Sequence, residues 1–307
     1  MQTRMSRAAL LTVLSVFIAI LSGGIAAGQS RPVTLRFEAV VGDLPFACGK
    51  TYPGIGSTRS SVTPSDFRFY VSDVQLLTRD GKSAPLGLEQ DGKWQHRNVA
   101  LIDFEDRSGP CANGTEETRA FVRGTVPDGD YVGVRFTLGV PFDLNHEDAT
   151  LAHSPLNLSG LFWSWLGGYK FLRVDMATVG EPGFIVHLGS SGCQSGTPMT
   201  TSSQAAIHQG HGGAPRQQAM QRPAGCDRPN RPVVTFASFD PAKEAIVADL
   251  AALLATTNVD VNQPGTPLGC MSSAGDADCD GIMAALGFSA DGRAGGPQTF
   301  FKARPGK

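Results

Sequence analysis

The chain has 307 residues, with 26 basic and 28 acidic side chains giving a formal charge of −2, so it carries no excess of positive charge for nucleic acid. Glycine (37) and proline (20) are abundant and charged residues make up only 18%. No heptad and no 20 to 50 residue repeat is visible, which excludes coiled coils and solenoids and leaves an ordinary globular chain.

The first 28 residues predict a secretory signal peptide. Arg4 and Arg7 precede an uncharged apolar run from Ala8 to Leu21, and small residues end it at Ala26, Ala27 and Gly28. The run is short for a membrane span and no basic stop-transfer flank follows it. No cysteine follows it to take a lipid. Cleavage near Gly28 would free a periplasmic or secreted chain without a membrane anchor. Loss of two arginines and no acids would leave 24 basic against 28 acidic residues, a formal charge of −4.

Alternating apolar and polar residues predict strands at Val33 to Val40 and at Phe67 to Leu77, with Asp80-Gly81 as the turn after the second. Asn98 to Phe104, Thr118 to Val126 and Tyr131 to Leu138 continue the pattern. Pro127-Asp128-Gly129 is turn chemistry and predicts a hairpin between the last two. Further short strands are expected at Phe171 to Met176, Phe184 to Leu188 and Val233 to Phe236. The spacing is that of an all-β antiparallel sandwich or barrel-like domain, over residues 29–288.

Residues 194–225 are poor in apolar side chains and predict a flexible, low-complexity insert loop that carries His208 and His211. Asp240-Pro241, followed by AKEAIVADLAALLA, has a cap, a proline for the first turn and good helix formers, and predicts one C-terminal helix. Residues 289–307 read as a loosely ordered tail. Asp276, Asp278, Asp280 and Gly281 match the start of a calcium loop, but Gly287 stands where an EF-hand places its bidentate glutamate, so a plain acidic turn is the better reading.

Six cysteines, at 48, 111, 193, 226, 270 and 279, point to three disulfides stapling an exported domain. Fifteen pairings are open. Cys270 with Cys279 is the simplest, Cys193 and Cys226 bracket the insert loop, and Cys48 with Cys111 would remain. No two cysteines have CxxC spacing, which argues against a thiolate metal site.

Trp94 and His96 stand two apart just ahead of the strand NVALIDF, so extended backbone puts indole and imidazole on one face. His146 and His153 lie in the long segment VPFDLNHEDATLAHSPLNL, and loops on rigid scaffolds are where sites are built. His187 falls in a strand beside Cys193. Trp163, Trp165, Tyr169 and Phe171 read as packing residues. Neither GxSxG, nor HExxH, nor a phosphate-binding GxxxxGK[ST] occurs, so hydrolase and nucleotide chemistry have no motif. Imidazole-bound transition metal is the chemistry these residues suit best.

The segments FRFYVSDVQLL, VALIDFED, CANGT, GVPFDLNHED, SPLNLSGLFWSWLGGYKFLRVD, HLGSSGC, CDRPNR and CMSSAGDADC, in this order, resemble the MbnP family of the metallo-mystery pair system. The resemblance implies an exported β-sheet copper-binding protein, not an enzyme, acting in copper homeostasis. It implies a partner, a di-haem MauG-like cytochrome c peroxidase homologue. In related copper proteins a tryptophan in a W-x-H arrangement is oxidised to kynurenine, whose amine joins two histidines around copper. Carried onto this chain, Trp94 becomes the kynurenine and His96 the first histidine. His146 is the expected second, with His153 and His187 in reserve. Two imidazoles and a weak nitrogen donor suit Cu(I). The competing readings are a secreted structural or adhesion-type sandwich in which these residues merely pack, and a secreted hydrolase for which no motif speaks.

Overall fold

The computed structural model describes residues 29–164, 166–180, 183–195, 223–289 and 293–306. The expected signal peptide, Trp165 and the middle of the insert loop with His208 and His211 lie outside them.

Two sheets face each other. One orders the strands Phe301–Pro305, Glu244–Asp249, Ser30–Val41, Phe121–Pro127 and Gly87–Leu88, with Leu44–Pro45 added to Ser30–Val41. The other orders Phe184–Leu188, Leu172–Ala177, Ser60–Thr78, Tyr131–Leu138 and Val233–Phe236, and shorter strands, among them Gln95–His96 and Val99–Asp103, pair around it. Pairing between named strands is antiparallel except where Ser30–Val41 runs parallel to Glu244–Asp249. The core is aromatic: Phe37 of the first sheet meets Phe69 and Phe136 of the second edge-on at 5.8 Å, and Phe301 closes on Phe136 at 5.3 Å. Such edge-to-face contacts add to the burial of large apolar surfaces.

The spine is Ser60–Thr78. Its ends alternate buried and half-buried side chains, as a one-sided strand should, but Asp66 through Ser72 are all buried. Both faces are covered there, because the segment following Tyr131–Leu138 folds over the outer face. Tyr70 donates to Pro155 O at 3.0 Å, and the Tyr70 and Tyr169 rings meet edge-on at 5.8 Å. This covering segment carries His146 and His153 onto the sheet.

The three disulfides are Cys48–Cys111, Cys193–Cys226 and Cys270–Cys279. No helix among the described residues is long and apolar enough to cross a membrane.

Three expectations are corrected. Phe121–Pro127 and Tyr131–Leu138 do not form a hairpin: the first pairs with Ser30–Val41 and the second with Ser60–Thr78, so the Pro127-Asp128-Gly129 turn crosses between sheets. The C-terminal helix is shorter than expected, Leu250–Leu254, because Glu244–Asp249 is a strand. That strand is central in its sheet and buried from Ala245 to Asp249, so pairing on both edges overrides the helix preference of its alanines. Asp249, rather than Asp240, caps the helix by accepting from the N–H groups of Ala251 and Ala252. The tail is not loose throughout either: Phe301–Pro305 is a sheet strand, and Phe300 and Phe301 are buried in the core.

Candidate metal centre

The Trp94–His96 segment is held from below by one carboxylate. Asp91 Oδ1 accepts from the backbone N–H of Lys93 (3.0 Å), Trp94 (2.7 Å) and Gln95 (3.0 Å), and its Oδ2 pairs with Arg119 at 2.9 Å. Burial pushes this carboxyl up, but the three N–H donors and Arg119 outweigh it and hold it below the usual carboxylate range. The Gln95 side chain points inward. It donates to Glu89 O and Arg123 O and accepts from Arg123 N–H, which leaves Trp94 and His96 on the opposite face. Leu101 N–H bonds Trp94 O, and Gln95–His96 pairs with Val99–Asp103 across a tight turn at Arg97 and Asn98. Arg97 takes the left-handed conformation there (φ 54°), and Gln90 clamps it by accepting from Arg97 N–H and donating to Arg97 O.

Trp94 is buried at 9% exposure and lines a cavity of about 170 Å³ together with Arg68, Lys93, Asp103, Ser154 and Leu158. The Lys93 ammonium sits 5.1 Å from the indole centroid. Ser154 donates to Lys93 O at 2.7 Å, which docks the covering segment on the Trp94 strand. The residue before it, His153, is thereby laid on His96: the rings stack with centroids 4.9 Å apart and planes 7° from parallel. Among the described residues neither imidazole has a hydrogen-bond partner on a ring nitrogen. His96 is half-buried, and burial, His153 and Arg97 together depress its pKa below the ordinary imidazole value, against the pull of Glu147. His153 is exposed.

His146 takes a different place. It is buried at the end of the short helix Phe142–Asn145, its ring 4.7 Å from that of Phe142. Asn145 Nδ2 lies 3.1 Å from His146 Nε2, and Cys226 Sγ lies 3.5 Å from the same nitrogen. His146, Cys193 and Cys226 place their ligand atoms within 4.8 Å of one another, but both sulfurs are committed to a disulfide and are not donors in this state. The same holds for Cys48 and Cys111 beside Asp106.

His187 belongs to a buried ionic row on the outer sheet face. Its Nε2 meets Asp175 Oδ1 at 2.6 Å, Arg173 bridges Asp175 and Asp66, and Arg68 pairs with Asp66. Burial pushes the Asp175 carboxyl up, but His187 and Arg173 overcome it and bring it to about 2. Burial, with the nearby charges of Lys170 and Arg173, outweighs Asp175 at His187, whose pKa falls below the ordinary value. At the far end of the row Asp103, opposite Arg68 in register, is pushed by burial up to about 7. No sequence signal marked this row, because its members are scattered over four strands and meet only through sheet register.

The acidic turn is structural in part: Asp276 accepts from Asp278 N–H and Asp278 from Gln263 N–H, so carboxylates that a calcium loop would turn inward cap local backbone instead. Tyr169 and Phe171 are core residues as expected.

No curated protein matches the chain. Among solved structures it is similar to MbnP from Methylosinus trichosporium, with a TM-score of 0.74 and 28% identity over 91% of this chain and 100% of that one. The family model MbnP matches residues 30–272, which include every strand of the two sheets but Phe301–Pro305, the stacked histidines and every disulfide cysteine but Cys279, and the chain therefore belongs to the MbnP family.

Proposed function

We propose that the chain is an exported copper-binding protein whose metal site is built from Trp94, His96 and His153. One observation carries the reading: two imidazoles stacked beside a buried tryptophan, with no partner on any ring nitrogen among the described residues. Here two adjacent rings leave four nitrogens for something else, and imidazole suits copper. The depressed pKa of His96 keeps its ring neutral, as a ligand must be.

The residues fit the ion with one adjustment. His96 and His153 would hold the ion through ring nitrogens, for which the two stacked rings would have to turn apart. Exposed His153, on a loop, has room to turn. His153 thus takes the place assigned to His146 from the sequence. His146 Nε2 is engaged by the Asn145 amide, and the sulfur it faces is oxidised.

The resemblance to copper proteins with a W-x-H arrangement extends the proposal to Trp94. Oxidative cleavage of its indole C2–C3 bond inserts two oxygen atoms, and hydrolytic loss of C2 as formate leaves kynurenine with a free aromatic amine. A partner di-haem oxidase of the MauG-like class, using two equivalents of peroxide and releasing two waters, would supply the four oxidising equivalents. Bound to two imidazoles and that weak amine, the copper would favour the Cu(I) state. Export fits three disulfides, which persist in oxidising compartments. The protein binds; it does not catalyse.

The test is to purify the chain from its own host with the neighbouring di-haem gene present or deleted, and to measure peptide masses across Trp94 together with copper content. A net gain of one oxygen and loss of one carbon at Trp94, only with the partner present and together with bound copper, supports the reading. Unmodified Trp94 and no copper leaves a disulfide-stapled sandwich without a metal role.

A further inference from the structure

The Cys193–Cys226 bridge joins two short paired strands, Ser191–Ser195 and Pro223–Arg228, with the two cysteines directly opposite in register. It is the disulfide with both halves part-exposed. Cys111 in one of the others, and both Cys270 and Cys279 in the last, are buried. Access of an attacking thiolate governs the rate of disulfide opening, so this bridge stands open to attack before its fellows.

A buried imidazole faces it. His146 is 5% exposed, and its Nε2 sits 3.5 Å from Cys226 Sγ. The orientation of that nitrogen follows from Asn145. The Asn145 Oδ1 accepts the backbone N–H of Tyr169 at 2.8 Å, which fixes the amide and turns its Nδ2 toward His146 as a donor. His146 Nε2 is therefore an acceptor with its proton on Nδ1, and its lone pair, now taken by the Asn145 amide, lies close enough to the sulfurs for a metal between them to take it over. With Cys193 Sγ included, the three atoms lie within 4.8 Å of one another.

We propose that Cys193, Cys226 and His146 form a soft-metal site that is closed while the disulfide is intact and opens when a dithiol reduces it. Two thiols of the reductant give two electrons and two protons to the bridge. The Cys193–Cys226 S–S bond breaks, and a disulfide forms in the reductant. The flanking strand pairs Ser191 with Arg228 and Gln194 with Gly225 keep the two sulfurs adjacent. Binding of Cu(I) then displaces both thiol protons, giving two thiolates and one imidazole around the ion. Thiolates favour Cu(I), and the nearby imidazole supplies the third donor by giving up its bond from the Asn145 amide. The site lies on residues separate from Trp94, His96 and His153, and it stands whether or not that trio binds copper.

The test uses the full chain carrying His96→Ala and His153→Ala, so that only the second site is read. Under anaerobic conditions the protein is titrated with dithiothreitol, alkylated and mapped by mass. The reduced protein then receives Cu(I) against bathocuproine disulfonate as competitor. Cys193 and Cys226 are expected to label first, and the reduced chain to take up a Cu(I) ion that the oxidised chain does not. His146→Ala, and separately His146→Gln with its neutral amide, are expected to weaken that uptake about tenfold or more, as loss of one donor does. Thermal melting of the oxidised variants checks that they fold. Labelling of Cys48, Cys111, Cys270 or Cys279 before Cys193 and Cys226 would overturn the proposal. So would equal Cu(I) uptake by oxidised and reduced chains, or unchanged affinity in folded His146 variants.

Discussion

The His153 imidazole lies flat on that of His96, centroids 4.9 Å apart, and nothing in their sequence spacing announces it. The contact exists because Ser154 is bonded to Lys93 O and Pro155 O to the Tyr70 hydroxyl, two anchors that lay one loop across the face of the sheet.

Asp91 is the residue on which the Trp94–His96 geometry depends most without being a ligand. Asp91→Ala frees three backbone N–H groups and leaves Arg119 without its partner. Hydrogen bonds to charged groups contribute roughly 1.5–3 kcal/mol each, and water recovers part of the loss here, so a destabilisation of about 2–3 kcal/mol is expected. Chemical denaturation measures it. Copper affinity falls with it, and Asp91→Asn, which keeps an acceptor, recovers part of both.

Asp103 gives the fold a pH dependence of definite sign. Its folded pKa of about 7 lies above the value of about 3.9 for an unfolded aspartate, so the folded state favours the protonated form. Its contribution is complete below about pH 4 and is lost as pH rises through about 7. Melting temperatures measured from pH 5 to pH 8 should therefore decline less steeply for Asp103→Asn than for the parent.

Asp175 has the opposite sign. Held at about 2, it contributes stability that is full above the unfolded value and is lost as pH falls through about 2. Its loss is an acid-side effect, so an Asp175→Asn protein melts lower than the parent at pH 6, and the difference narrows toward pH 2.

The C-terminal strand is a stability element. Phe301 packs on Phe69 and Phe136, and Phe301→Ala is expected to cost about 3–5 kcal/mol, the range for a buried aromatic truncated in a core. Truncation before Thr299 removes Phe300 and a sheet strand as well, and should cost more. Urea denaturation separates the two variants.

Much of the fold was legible because period-two alternation is a local signal. Tyr131–Leu138, Phe184–Leu188 and Val233–Phe236 have the bounds or the near bounds that their side chains predict. Alternation does not name a partner, which is why Phe121–Pro127 and Tyr131–Leu138 looked like a hairpin and sit in different sheets. Glu244–Asp249 was unreadable as a strand: a central strand buried on both faces loses its alternation and keeps only its helix-forming residues. Phe301–Pro305 was hidden by the glycine-rich stretch before it. At the site, Trp94 and His96 were visible as neighbours through extended spacing, whereas the stacking of His153 rather than His146 on His96 depended on the path of a loop over the sheet. The pairs formed are the short-loop pair, the pair that brackets the insert loop and the pair these leave over, out of the fifteen the sequence left open.

The central claim is that His96 and His153, rather than His96 and His146, hold the copper. Anaerobic Cu(I) titration against a chromophoric chelator, on the disulfide-intact protein and its His96→Ala, His153→Ala and His146→Ala variants, tests it most directly. The account predicts that the first two variants lose high-affinity binding, by about tenfold or more for each lost donor, while His146→Ala binds as the parent does. Full binding by His153→Ala together with loss in His146→Ala would contradict it.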